Sequence, residues 1–258
     1  MNKLSVLLFG IFATVSFSAA FASYNVTFLN TTVILNSTNS SAKVVEILSL
    51  FISNSSISQY ESARGAYNLT LSHWQTLIGS PLITEHILNP HGSIHNFAFL
   101  PGPVVPASGG GSATMTMSYS VSNVTTVTEI APRKFEYVFN STVFNFQHTA
   151  GGQELPRGVR LNIIVPDGAH IVSIYPLPDY PQTSVLGTYA NATVFSWYTE
   201  EPLSSFSFSY TLTESLQAEV LGYFGGLYSR HRSALYAAAV LVIALFVAYI
   251  YFKYIIRQ

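Results

Sequence analysis

The chain has 258 residues, 49% hydrophobic and 14% aromatic but only 9% charged, with a net charge of -1 and no cysteine. A chain so close to neutral offers no basic footprint for nucleic acid, and without cysteine there are no disulfides, thiolate nucleophiles or cysteine-based metal centres. Apolar residues are frequent enough to build a core, so the low charge implies a surface solvated by hydroxyls and amides rather than disorder.

Met1-Asn2-Lys3, the apolar run Leu4 to Val15 and the small-residue site Ala20-Phe21-Ala22 have the order of a secretory signal over 1-22, with cleavage expected after Ala22. Leu4 to Ala22 is also just long enough to span a bilayer uncleaved. On either reading the chain from Ser23 is exported. Asn-x-Ser/Thr then occurs at Asn25, Asn30, Asn36, Asn39, Asn54, Asn68, Asn123, Asn140 and Asn191. Chance matches in a chain this rich in Ser and Thr number roughly three, so nine glycosylation acceptors are an excess that fits export.

Residues 23-100 are expected to form a β-rich subdomain with short helices. Tyr24, Val26 and Phe28 alternate with polar neighbours, and Val33 to Leu35 leads into the turn-rich Asn36 to Ser41. Lys43 to Ile52 places Val44, Ile47, Leu48 and Phe51 on one helical face, but its density of β-branched residues and the hairpin-like turn before it favour a strand. Ser72 to Gln75 resembles a capping box, which predicts a short helix before Gly79. Three Pro and four Gly in Leu100 to Ser112 predict a linker at 101-112 between two subdomains, with a long hairpin loop as the alternative.

Beyond it, Ala113, Met115, Met117, Tyr119 and Val121 alternate with polar residues. Phe135 to Phe139, Thr142 to Phe146, Val159 to Val165, His170 to Tyr175, Thr193 to Tyr198 and the alternating run through Phe206, Phe208, Tyr210 and Leu212 repeat the signature between Gly, Pro and Asp turns. This spacing predicts a mainly β chain with an antiparallel β-sandwich over 113-213. It leaves no room for the crossover helices of a parallel sheet.

Residues 214-232 read as a juxtamembrane stalk. Ala234 to Phe252 then carries no charge, Pro or Gly and, as a helix, is roughly 28 Å long, so 233-252 is expected to be a transmembrane helix with 253-258 as a cytoplasmic tail. The flanking Arg230, Arg232, Lys253 and Arg257 tie; the signal and the sequons place the ectodomain outside. Few carboxylates, with Asp only at 167 and 179, also suit a domain facing acid.

The stretch Leu155 to Pro166, with Ile171 to Pro176, Phe195 to Trp197, the alternating strand after it and the C-terminal span, resembles archaeal single-pass surface membrane proteins with a β-rich ectodomain. The likeness covers Phe135 to Phe252. It implies architecture and surface location and brings no activity.

No motif in the chain names a reaction. Ser112 follows three glycines but lacks a Gly-x-Ser-x-Gly elbow, and the adjacent Glu200 and Glu201 of an extended segment point to opposite faces. Glu85, His86, His91 and His95 are the densest set of candidate metal ligands, yet Pro90 and Gly92 turn the chain so that the side chains are expected to diverge without a structural metal. Tyr175, Tyr180, Tyr189, Trp197 and Tyr198 raise a sugar-binding platform, although alternation sets Phe195 and Trp197 on one face as core residues. The expectation is a non-enzymatic, glycosylated cell-surface protein without catalytic residues or cofactors. Its partners would be the lipid bilayer, N-linked glycans and a further membrane or envelope protein, and the alternative is an extracellular module binding sugar or metal.

Overall fold

The computed structural model describes residues 24-66, 69-90, 93-181, 189, 192-198 and 200-214, together with Tyr236, Leu245, Phe246 and Tyr249. The expected signal, most of the stalk and span, the tail, Asn68, Asn191 and His91 lie outside the described residues. Among the described residues no helix is long and apolar enough to cross a membrane.

The chain is mainly β. In order, the strands are β1 (Tyr24–Leu35), β2 (Ala42–Ser53), β3 (Ile94–Pro101), β4 (Val105–Ala107), β5 (Gly110–Val121), β6 (Thr125–Ala131), β7 (Lys134–Phe139), β8 (Gln147–Thr149), β9 (Gly152–Glu154), β10 (Val159–Ile164), β11 (His170–Tyr175), β12 (Val194–Trp197) and β13 (Ser207–Thr213). Two helices, α1 (Ile57–Gly65) and α2 (Leu71–Ile78), lie between β2 and β3. A seven-stranded sheet runs β12-β10-β1-β2-β5-β3, with β4 on β5; a four-stranded sheet runs β11-β13-β7-β6, and β8 pairs with β9.

The alternation that predicts β5 is the one observed. β1 keeps its predicted alternation only as far as the bulge between Val26 and Phe28, after which the buried face passes to Leu29, Val33 and Leu35; β2, expected from its β-branched residues, alternates as well. Leu29, Val33, Leu35, Val44, Leu48, Leu50, Ile52, Met115, Met117 and Tyr119 face inward from three neighbouring strands, joined on β10 and β12 by Val159, Leu161, Ile163, Phe195 and Trp197. Phe195 on β12 meets Phe208 on β13 with ring centroids 5.5 Å apart, and Trp197 meets Phe206 at 5.1 Å. The predicted short helix is α2. Its cap is Thr70, whose side chain accepts the His73 N–H, and its end is Gly79 at φ 69, where a residue with a Cβ would be strained. Trp74 from α2 packs edge-on against Tyr60 from α1 at 5.4 Å.

Three expectations are corrected. The large sheet is mixed, because β1 and β10 run parallel in register from Leu29↔Val159 to Ile34↔Ile164. A parallel pair needs a connection that brings the chain back to the end of the sheet where the first strand began, and here the whole stretch from β2 to β9 serves as that connection. The expected linker at 101-112 is largely strand: 105-107 form β4, which pairs with β5, and β5 begins at Gly110 and lies between β2 and β3. Gly110 and Gly111 serve close approach, since a Cβ on Gly110 would stand 2.1 Å from the Ile52 carbonyl oxygen and one on Gly111 2.2 Å from Val104 Cγ1, whereas Gly109 takes the positive φ of 79 between β4 and β5. Pro106 is accommodated because β4 is an edge strand. Thr142 to Phe146, expected as a strand, begins instead with the 3-10 turn Ser141–Val143 under the side-chain cap of Asn140.

Contacts divide the chain into two compact units, Met1–Val127 with Tyr137–Tyr210, and Thr128–Glu136 with Thr211–Gln258. The first holds the residues of the large sheet, both helices and their apolar core. The second holds the outer part of the β6–β7 hairpin and the end of β13.

Candidate functional site

The sequons and one buried polar cluster are the two constellations from which a role can be argued. Of the sequon asparagines within the described residues, Asn25, Asn36, Asn39, Asn54 and Asn123 are exposed, and Asn30 and Asn140 are partly so. Asn36 Oδ1 accepts from both the N–H and the hydroxyl of Thr38, each at 2.9 Å. Asn39 does the same with Ser41, and Asn140 with Thr142 at 3.1 and 2.8 Å. These are Asx turns closed by the sequon's own third residue. They engage the amide oxygen, not the nitrogen to which a glycan is joined.

Four of these asparagines share one rim. The Ser40 hydroxyl donates to Asn123 Oδ1 at 3.2 Å, the Val124 N–H donates to the Ser40 carbonyl at 2.7 Å, and the Asn140 N–H donates to the Val124 carbonyl at 2.8 Å. The Tyr137 hydroxyl adds a bond to the Ser37 carbonyl at 2.9 Å. Asn36, Asn39, Asn123 and Asn140 are thereby brought together, while Asn25 and Asn54 lie at the other end of the β1–β2 hairpin.

The buried cluster could not be seen in the sequence. Glu46 stands on the inward face of β2 between Val44 and Leu48, and it is fully buried. A carboxylate there costs several kcal/mol unless donors converge on it. Three do: the His86 N–H donates to Oε1 at 2.9 Å, His86 Nδ1 donates to Oε2 at 2.8 Å, and the Tyr119 hydroxyl donates to Oε1. The Tyr119 oxygen in turn accepts the Ile87 N–H at 3.2 Å. Burial, then the Glu46 charge and its hydrogen bond, push the Tyr119 hydroxyl far above its ordinary pKa, so it stays a donor. His86 stacks on Phe146 at 5.1 Å. The segment around His86 is held further by Asn145, whose N–H donates to the His86 carbonyl at 2.8 Å and whose side-chain amide donates to the Glu85 carbonyl at 3.0 Å. The sequence signal for all this was a single Glu on an otherwise apolar alternating face.

Carboxylate, imidazole and phenol are groups that can move protons, but Glu46, His86 and Tyr119 are 0%, 2% and 1% exposed, so no substrate reaches them. The arrangement works as a latch between β2, β5 and the segment that leads into β3. Of the other candidate ligands, His95 is exposed with Nε2 at 2.7 Å from the Ser93 hydroxyl, apart from the buried His86. Among the described residues no three His, Asp or Glu side chains gather as a metal site.

The remaining candidates separate. Ser112 is exposed on β5 and paired in register with Phe51 and Val105. Glu200 sits at a turn with φ 68, and Glu201, half-buried, has its carboxyl pushed up by burial and then by the Asp179 charge. Trp197 is core, its Nε1–H donating to the Pro176 carbonyl at 2.9 Å, and one face of Tyr198 is occupied by the Arg160 guanidinium at 4.5 Å. Tyr175 and Tyr180 are both more than half exposed.

No protein-family model matches the chain, and no curated protein matches it. Among solved structures the chain is similar to native leukotriene A4 hydrolase from Saccharomyces cerevisiae at 8% identity and a TM-score of 0.27, over 82% of this chain and 33% of that one. The chain thus spans about a third of the length of that protein. A likeness of that size carries no argument about fold or activity.

Proposed function

We propose that this chain is a non-enzymatic, glycosylated surface protein of the archaeal single-pass kind. On this reading it is exported by 1-22, held in the cell membrane by 233-252 with its C-terminus in the cytoplasm, and serves a structural or membrane-partner role in the envelope. The observation that carries it is the placement of the sequons. Asn36 and Asn39 are exposed in Asx turns that occupy Oδ1 and leave Nδ2 as the remaining functional group. The uncharged run Ala234 to Phe252, long enough as a helix to cross a bilayer, supports the anchor. The ring contacts between β12 and the segment entering β13 support two sheets stacked as a sandwich. The burial of the cluster of acid, base and phenol supports a role without turnover.

Protein from the native host is expected in the membrane fraction with a mass above that of the bare polypeptide. Bare mass together with recovery in the soluble fraction would overturn the proposal, as would turnover on a hydrolase panel that a single substitution abolishes. One observation favours the sugar-binding alternative: exposed Tyr180 is fixed in place, its neighbour Asp179 accepting the Tyr198 N–H at 2.7 Å and its own carbonyl accepting the Ser196 N–H at 2.7 Å. Glycan-array binding lost in Tyr175→Ala with Tyr180→Ala would promote that reading.

A further inference from the structure

We infer that the turn of the β6–β7 hairpin, Ile130 to Lys134, rests on the anionic headgroup surface of the bilayer that holds the chain. This deepens the proposal of an anchored protein and rests on it. The hairpin's outer part, Thr128–Glu136, forms one compact unit with Thr211–Gln258, the part of the chain that runs into the apolar segment. Within that unit the Glu214 N–H donates to the Arg133 carbonyl at 2.8 Å, so the tip is bonded to the chain where it leaves β13 for the membrane.

The tip has the chemistry of an interfacial element. Pro132 followed by Arg133 at φ 62 makes the tight turn, and Ile130, Ala131, Pro132, Arg133 and Lys134 are all exposed, Ile130 to 49%. Two adjacent cations beside an exposed branched apolar side chain suit a layer of phosphate over hydrocarbon, where each basic residue gains from an anionic surface.

The sequence beyond β13 has the composition of that same layer. Residues 215-229 include Leu216, Val220, Leu221, Tyr223, Phe224, Leu227 and Tyr228 against a single charge, Glu219. Apolar and aromatic residues in this proportion belong at a membrane interface rather than in a solvated spacer. Finally, the second unit contains no asparagine, so all nine sequons belong to the first. A bulky hydrophilic glycan and a lipid surface exclude each other, and the unit that carries the anchor is the one free of acceptors.

The absence of cysteine makes the test direct. Full-length protein carrying Ile130→Cys, or Ser37→Cys on the β1–β2 turn as a reference, is labelled with an environment-sensitive fluorophore. It is reconstituted in phosphatidylcholine vesicles with or without phosphatidylglycerol. Lipid-borne quencher is expected to quench the label at position 130 several-fold more than the label at 37. Phosphatidylglycerol should increase that difference, and Arg133→Asn with Lys134→Ser should reduce it; Asn keeps the positive φ, and Arg133→Asn alone serves if the pair misfolds. Vesicle-bound protein whose label at 130 is quenched only by aqueous iodide overturns this inference and leaves the anchor standing. Full-length protein that does not float with vesicles overturns both.

Discussion

The β1–β2 turn and the Glu46 cluster lie on the same hairpin and satisfy their polar groups in opposite ways. In the turn, Asn36 and Asn39 bond to residues two positions away, in the open. On the buried face, Glu46 bonds to His86 and Tyr119, which are 40 and 73 residues distant. Local bonds compete with water and stabilise little each, whereas a buried carboxylate that loses its donors, or donors that lose it, bears the full cost of desolvation. One region sets where the chain turns, and the other sets which distant segments it accepts.

Removing the acceptor should therefore have the largest effect. Glu46→Ala strands the His86 N–H, His86 Nδ1 and the Tyr119 hydroxyl at once, and the expected loss is about 3–5 kcal/mol in denaturant unfolding. Glu46→Gln, which keeps an acceptor oxygen, should lose less. If Glu46→Ala unfolds at the wild-type midpoint, the latch contributes nothing to stability. Tyr119→Phe removes one donor to Glu46 and the acceptor of the Ile87 N–H, with an expected cost of about 1–3 kcal/mol by the same measurement.

The contrast in range also explains what the sequence could convey. β5 was readable because a two-residue period is local, β2 because β-branched residues crowd it after a turn, and α2 because Gly79 closes it, although its cap is Thr70 and the Ser72 of the expected capping box lies inside the helix. The parallel pairing of β1 with β10 was not, since nothing in Val159 to Ile164 says which strand it will join 130 positions away. Pro and Gly in 101-112 read as a linker because composition does not distinguish a glycine needed for rotation from one needed for contact; only the 2.1 Å approach at Gly110 does. The sequons were legible as a pattern, but the meeting of four of them on one rim depends on β5 and β6 bringing Asn123 to Ser40. The Glu46 partners were invisible for the same reason, with His86 read instead as a possible metal ligand beside His91 and His95.

Alkaline titration sharpens the comparison further. Burial pushes the hydroxyls of Tyr60, Tyr119 and Tyr210 well above their ordinary value of about 10. Below about pH 10 both states hold these protons and stability does not depend on them. Above it the unfolded chain releases protons that the folded chain keeps, so stability falls as pH rises, by up to about 1.4 kcal/mol per pH unit for each tyrosine. Denaturation midpoints at about pH 9, 10 and 11 should fall along this slope, and Tyr119→Phe should make it shallower. A Tyr119→Phe slope equal to wild type would mean that the hydroxyl is not held neutral by the Glu46 cluster.

The smallest effect on stability belongs to the turn, and there the two readings of one residue can be separated. Thr38→Val removes the hydroxyl bond to Asn36 Oδ1 but keeps the backbone bond that closes the Asx turn, both being 2.9 Å in the wild type. The turn is exposed, so water replaces what is lost, and the unfolding midpoint should move by no more than about 0.5–1 kcal/mol. The same change destroys the sequon at Asn36, because valine cannot supply the hydroxyl that the acceptor pattern requires. In the native host the variant should therefore be lighter by one glycan while remaining as stable as its small loss allows. Thr38→Ser should keep both the glycan and the turn. An unchanged mass in Thr38→Val would show that Asn36 is unmodified and that its bonds to Thr38 serve only to turn the chain between β1 and β2.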